Sequence, residues 1–281
     1  MPASDTTKSF QIIAQFSGVL LSLASAATAH AECSRVINVP VSPTGLSVIV
    51  TGEKIHGIFP DLLRRMGGKN ACNFAFTNVP KARLAAMFEA GSSDMMLASI
   101  KTPRRDEFGI FFPMVSIRAT LISVATSRPT IRNFKELIKQ SDLQLILVRG
   151  FDYGPDYQRL IEELNKQGRV SFDSDPLSVA RLLKLRPGSA TIMAPSILTG
   201  ELQGDARVQD LQEKLRLEPL EELAWSYSGT YLSKTALTHS DREKLGKMLE
   251  HAGQSGEAWH AYQKVYSPEV VKISIRPLSA Q

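Results

Sequence analysis

The residues best suited to chemistry stand in two short runs. The first is Lys101-Thr102-Pro103-Arg104-Arg105. Pro103 suits the first turn of a helix, where its missing N–H is no loss, and the Thr102 hydroxyl can cap the exposed amides that follow. Arg105 then offers a planar fork of donors that matches a carboxylate, with Lys101 as a second positive charge and Ser99 placed to add a hydroxyl. A surface ion pair of Arg105 with Asp94 or Asp106 is the other reading of the same residues. The second run is Asp152-Tyr153-Gly154-Pro155, where Pro155 again marks a helix start and the free backbone donors before it suit an anion. Tyr153 could stack on a ligand or cover it, or stand exposed in a turn, whereas Phe59 and Met114 read as core.

Catalytic signatures are absent from the chain. It contains no Gly-x-Ser-x-Gly elbow, His-Glu-x-x-His pair, Gly-x-Gly-x-x-Gly turn or Walker loop. His56, His239, His251 and His260 lie in polar contexts and read as surface residues. The two cysteines, Cys33 and Cys72, have no third Cys or nearby His to complete a metal site. Each precedes a β-like apolar run. If those runs are neighbouring parallel strands, their starts lie about 5 Å apart, within disulfide reach; two buried free thiols are the alternative. Nothing in the chain asks for a metal or a cofactor.

The 281 residues are 43% hydrophobic and 22% charged, a composition that can build a core and excludes low-complexity disorder, collagen and a disulfide-dense mini-protein. The net charge of +5 is spread along the chain, with no basic run that would serve as a nucleic-acid arm. Residues 1–31 read as a secretory signal: Lys8 near the start, a largely apolar stretch from Ile12 to Ala27, and Ala29-His30-Ala31 before a cut after Ala31. Gln11, Gln15 and several Ser keep this stretch short of the ~20 apolar residues of a membrane span. Cys33 lacks the small-residue run that precedes a lipidated cysteine, so free release into the periplasm is expected, where oxidising conditions favour a Cys33–Cys72 bond.

These residues must be positioned by alternating short strands and helices, the pattern of an α/β fold with largely parallel sheets. Strands are expected at 35–41, 73–78, 95–98, 121–126, 143–148, 170–172, 190–193 and 223–231. Helices are expected from Pro60 to Gly67-Gly68, from Pro80 to Gly91, from Pro155 to about Gly168, over 176–185, within a charged stretch at 206–216, and over 239–251 and 255–266. The polar connector Ser127-Arg128-Pro129-Thr130 is the expected first crossing between lobes.

Asn78-Val79-Pro80-Lys81-Ala82-Arg83, Phe88-Glu89-Ala90-Gly91 with Asp94, Lys101-Thr102-Pro103-Arg104-Arg105 and Phe111-Phe112-Pro113, in this order and spacing, resemble the first lobe of bacterial extracellular solute-binding proteins of family 3. That group of type II periplasmic binding proteins includes the polar amino-acid receptors of ABC importers. Gly57 to Leu63 resembles its opening helix, Gly150 to Tyr157 its second-lobe turn, and Ser255 to Tyr266 its closing helix.

The resemblance implies an α/β fold of two lobes, each a mostly parallel sheet flanked by helices, joined by a two-strand hinge. Residues 32–126 would open lobe 1, 127–222 form lobe 2, and 223–281 return to lobe 1. It makes Arg105 the anchor of a ligand carboxylate, beside Thr102 and Ser99, with Arg83 and Val79 at the rim and Asp152, Tyr153 and Gly154 facing from lobe 2. It implies a monomeric, non-enzymatic receptor for a small solute that works with an ABC transporter membrane permease, with no nucleic acid as partner. Two departures bear on the solute. The family's ammonium-binding Asp is missing from Ala190 to Ser196, with Ser196 near its place, and the segment from Asp94 to Arg105 is one residue shorter than usual. A carboxylate or other anion without an ammonium fits Lys101 and Arg105 as well as a zwitterion does. The alternatives are a ligand sensor for a signalling partner and a cyclohexadienyl-dehydratase-like enzyme with Asp152 as general acid.

Overall fold

The computed structural model describes residues 32–124 and 127–278; the expected leader, its cut after Ala31 and the last two residues of the strand expected at 121–126 lie outside them. The apolar run Ile37–Val41 forms β1, followed by the hairpin of β2 (Ile49–Thr51) and β3 (Lys54–His56). Then come α1 (Ile58–Asn70), β4 (Phe74–Asn78), α2 (Lys81–Glu89), β5 (Met95–Ile100), α3 (Pro103–Phe108) and β6 (Gly109–Ile117). β1 and β4 pair in parallel, which sets Cys33 and Cys72 at a Cα separation of 4.9 Å, and the two are disulfide-bonded. α1 buries Phe59, Leu62 and Leu63 against this pair, in keeping with the spacing of one helical face.

The chain continues as β7 (Thr120–Val124), α4 (Phe134–Lys139), β8 (Gln144–Val148), α5 (Pro155–Lys166), β9 (Val170–Asp173), α6 (Pro176–Leu185), β10 (Ser189–Met193), α7 (Pro195–Gly204), a 3-10 turn at Gln209–Lys214 and β11 (Leu215–Glu218). It closes with β12 (Ser226–Ser233), α8 (His239–Ser255), α9 (Glu257–Val265), α10 (Pro268–Ser274) and β13 (Ile275–Arg276). One sheet has the order β13-β6-β12-β5, the other β11-β7-β10-β8-β9. The second sheet is buried on both faces: Leu145 and Leu147 join one cluster with α4 and α5, Ile146 and Val148 the other with α6 and α7. That is why 143–148 reads as an unbroken apolar run.

Three expectations are corrected. Strand direction is mixed: every pair in the β13-β6-β12-β5 sheet is antiparallel, and β7 runs antiparallel to both β10 and β11, leaving β8–β9, β8–β10 and β1–β4 parallel. The strand at 120–124 belongs to the second sheet, so the chain passes between sheets at Arg118-Ala119, ahead of the connector at 127–130. The charged stretch 206–216 is a 3-10 turn leading into β11. β6 itself escapes a propensity reading because Pro113 sits inside it. The β6–β12 ladder shifts register between Ser228 and Gly229, and a Cβ on Gly229 would lie 2.0 Å from the Phe112 carbonyl oxygen, so only glycine permits this approach.

Candidate functional site

The ends of several elements from both sheets meet around one small cavity of about 30 Å³. From the β5 side come Thr44, Lys81, Ser99, Ile100, Arg105 and Ile117; from the β8 side come Phe151, Asp152, Tyr153 and Ile197. Thr102 caps α3, its hydroxyl accepting from the Arg105 amide at 3.3 Å, and its own N–H donates to the Tyr231 hydroxyl at 3.1 Å. The cap fixes where α3 begins and therefore where Arg105 points. Thr102 thus acts through Arg105; it does not line the cavity.

Arg105 is 7% exposed. One guanidinium nitrogen donates to the Ile100 carbonyl at 2.9 Å, and no carboxylate lies within ion-pair reach among the described residues. The surface pairings open to it in the sequence are taken by others: Asp94 accepts both nitrogens of Arg35, and Asp106 accepts the Tyr231 hydroxyl at 2.8 Å with Lys101 at 3.8 Å. Burial pushes the Arg105 guanidinium down from its ordinary value, opposed first by Asp152.

Ser99 reaches the cavity through a bulge. Gly229 faces Ser99 while Tyr231 faces Met96, so Leu97 and Ala98 together oppose one residue of β12. Ala98 adopts φ 47°, a left-handed conformation that side chains with a Cβ rarely take, and it too lines the cavity. The Ser99 hydroxyl donates to the Leu97 carbonyl at 3.1 Å, leaving its oxygen free to accept.

The second positive group is Lys81, a residue the sequence reading passed over in favour of Arg83 and Lys101. Lys81 is 5% exposed, its ammonium 5.8 Å from the Phe151 ring centre, and it makes no hydrogen bond or ion pair among the described residues. Burial, then the neighbouring Arg105, lower its pKa to about 7. Arg83, two positions on, points to solvent, and Lys101 is exposed beside Asp106. Val79 packs with Leu84, Phe88 and Tyr231 and does not line the cavity. The signal available was positional: Pro80 starts the helix, and the first residue after it is the one a strand-to-helix turn directs at the sheet end.

Across the cavity, Asp152 accepts from the Gly154 amide at 2.9 Å and from the Gln158 side chain at 3.1 Å, so both oxygens are held at the α5 amino end. Gly154 takes φ 96°, which suits glycine alone, and Tyr153 stacks edge-on to Phe151 and Tyr157. Burial pushes the Tyr153 phenol up from its ordinary value. Ser196 lies outside the lining: its amide donates to Ser274 at 3.0 Å and its hydroxyl accepts from the same residue, tying α7 to α10. Among the described residues no group of three or more His, Cys, Asp or Glu could hold a metal ion.

An antiparallel sheet and a mixed sheet, both flanked by helices, with a cavity where their strand ends meet, define the two-lobed architecture of type II periplasmic binding proteins. Solved structures carry the same fold. The arginine-, lysine-, histidine-binding protein of Geobacillus stearothermophilus matches with a TM-score of 0.65 at 17% identity, over 85% of this chain and 99% of that one. An ancestral arginine-binding protein bound to arginine matches with a TM-score of 0.65 at 16% identity, over 83% and 98%. The solute receptor for L-cysteine of Neisseria gonorrhoeae gives 0.63 at 14%, over 84% and 94%. These are binding proteins, not enzymes, and at such identities the likeness establishes the fold. No family model and no curated protein matches the chain.

Proposed function

We propose that this protein is a periplasmic receptor that clamps a small carboxylate-bearing or zwitterionic solute between two lobes and delivers it to the membrane permease of an ABC importer. The observation that carries the reading is Arg105, a buried guanidinium with unpartnered donors aimed into a cavity that elements of both sheets enclose. A buried charge without a partner is costly to a fold, so its retention at this position points to a ligand that completes it. Arg118-Ala119 and residues 219–225 then serve as the hinge, and the solute favours closure to the extent that it touches both sides. Asp152, the general acid of an enzymatic reading, has both oxygens committed to the α5 amino end, which favours binding over turnover.

The test is a thermal-shift screen of the purified protein against amino acids, organic acids, amines, peptides and sugars. A solute at one hundred times its Kd stabilises by about 2.7 kcal/mol. Arg105→Ala should abolish that shift without lowering the unliganded midpoint, because the side chain makes one internal hydrogen bond and its buried charge is costly to the fold. A hit that survives in Arg105→Ala, or one that the protein consumes, would refute the proposal.

A further inference from the structure

We infer that the solute is a short-chain dicarboxylate lacking an ammonium group, held by Arg105 and Lys81 together. The inference rests on the receptor reading and narrows it. The other buried charged side chains among the described residues are met by an ion partner or by several hydrogen bonds, Asp241 by the Ser34 amide and hydroxyl and the Thr238 hydroxyl. Asp94 holds Arg35, Glu218 holds Arg128 and Arg216, Asp205 holds Arg181 and Arg207, and Arg169 is ringed by the carbonyls of Leu137, Ile138, Gln140 and Leu143. Arg105, held by a single carbonyl, and Lys81, with no hydrogen bond or ion pair, depart from this side by side. They line the same cavity, at 7% and 5% exposure, with no carboxylate in ion-pair reach of either. Two like charges brought together out of water repel and are poorly solvated, and an anion bearing two charges relieves both penalties.

The same cavity has little to offer a cation. Its one carboxylate, Asp152, accepts from the Gly154 amide and the Gln158 side chain and already faces two cations, Arg105 and Lys81, while the Ile100 carbonyl accepts from Arg105. Arginine, the ligand named for the ancestral relative, would bring a third positive charge. The apolar part of the lining includes Ile100, Ile117 and Ile197, which suits the methylene chain joining two carboxylates. The titratable groups facing Lys81 are Arg105, Asp152 and Tyr153. Its own pKa of about 7 adds a signature: bound dianion favours the charged ammonium, so affinity should fall up to tenfold per pH unit as pH rises above about 7.

The experiment is isothermal titration calorimetry of the purified protein and of Lys81→Gln with unbranched dicarboxylates from ethanedioate to hexanedioate, butanoate, aspartate and sulfate. The expected result is one dicarboxylate that binds at least about a hundredfold more tightly than butanoate and aspartate. That preference over butanoate should shrink to within about threefold in Lys81→Gln, and the pH dependence should vanish with it. If aspartate, sulfate or a monocarboxylate binds as tightly as any dicarboxylate and requires Arg105, or if Lys81→Gln keeps the preference, the dianion inference falls while the receptor reading stands. If a folded protein binds none of these carboxylates, the dianion inference falls, and the receptor reading falls with it only if the wider thermal-shift screen also gives no hit.

Discussion

At the residue scale, Lys81 imposes a pH dependence on the unliganded protein that can be read without knowing the solute. Its pKa is about 7 in the fold against an ordinary 10.5. Between those values the unfolded chain binds a proton that the folded one does not, so Lys81 makes stability rise with pH from about 7 to about 10.5, and its full penalty is felt below 7. The realised size is on the order of 4 kcal/mol. Urea midpoints at about pH 7 and about pH 10 should therefore diverge in the wild type and differ much less in Lys81→Met, a substitution that keeps the stem and removes the charge. Equal pH slopes in the two proteins would show the ammonium to be hydrated. At this scale the sequence was half legible. Arg105 and its Thr102 cap follow from the Thr-Pro-x-Arg spacing, because a cap and an N1 proline are local features. Which of Lys81, Arg83 and Lys101 is buried was not, since all three are basic residues near helix starts and the choice depends on what packs above them.

At the scale of elements, the β1–β4 pair shows the opposite case, in which a non-local contact could be read from local patterns. Both strands begin just after a cysteine, and parallel pairing without a large offset brings those cysteines together. The bond closes a loop with a sequence separation of 39, so the loop-entropy account gives it about 4 kcal/mol of stability. Reduction, or Cys33→Ala with Cys72→Ala, should lower the urea-derived stability by about 2–4 kcal/mol while leaving solute affinity unchanged, since neither cysteine lines the cavity. A change in affinity would mean that the β1–β4 pair helps to place the cavity wall. β6, and the sheet to which β7 belongs, resisted reading for physical reasons. Pro113 removes a ladder donor from β6, which only Gly229 on the partner strand accommodates. β7 carries apolar residues on both faces, Leu121 on one and Ile122 and Val124 on the other, so its composition says that it is buried but not in which sheet.

At the scale of the whole molecule, the two passages between sheets are tied together. Arg118 on the first donates to the carbonyls of Leu223 and Leu220 on the second, at 3.2 and 3.3 Å, and Arg276 lies 3.9 Å from the ring centre of Trp225. Away from these passages the two sides meet through the Ser196–Ser274 hydrogen bonds and at two glycines. A Cβ on Gly150 would lie 2.8 Å from the Ala82 amide nitrogen at the α2 amino end. One on Gly200, within α7, would lie 2.7 Å from the Leu46 nitrogen and 2.8 Å from the Gly45 Cα, next to the Gly45 amide that donates to Glu201 at 2.9 Å. Gly200 makes the cleaner probe of closure because its own backbone is helical. Alanine there raises helix propensity by about 1 kcal/mol, yet its methyl meets backbone atoms across the interface that cannot rotate away. If solute binds only when these surfaces touch, Gly200→Ala should weaken affinity by about tenfold or more, because apparent affinity scales with the fraction of molecules able to close. Its radius of gyration by small-angle X-ray scattering should also shrink less on adding solute than that of the wild type. Unchanged affinity together with an unchanged scattering response would show that contact between α7 and the 45–46 loop is not part of the bound state, and that the clamp closes on the Gly150 side alone.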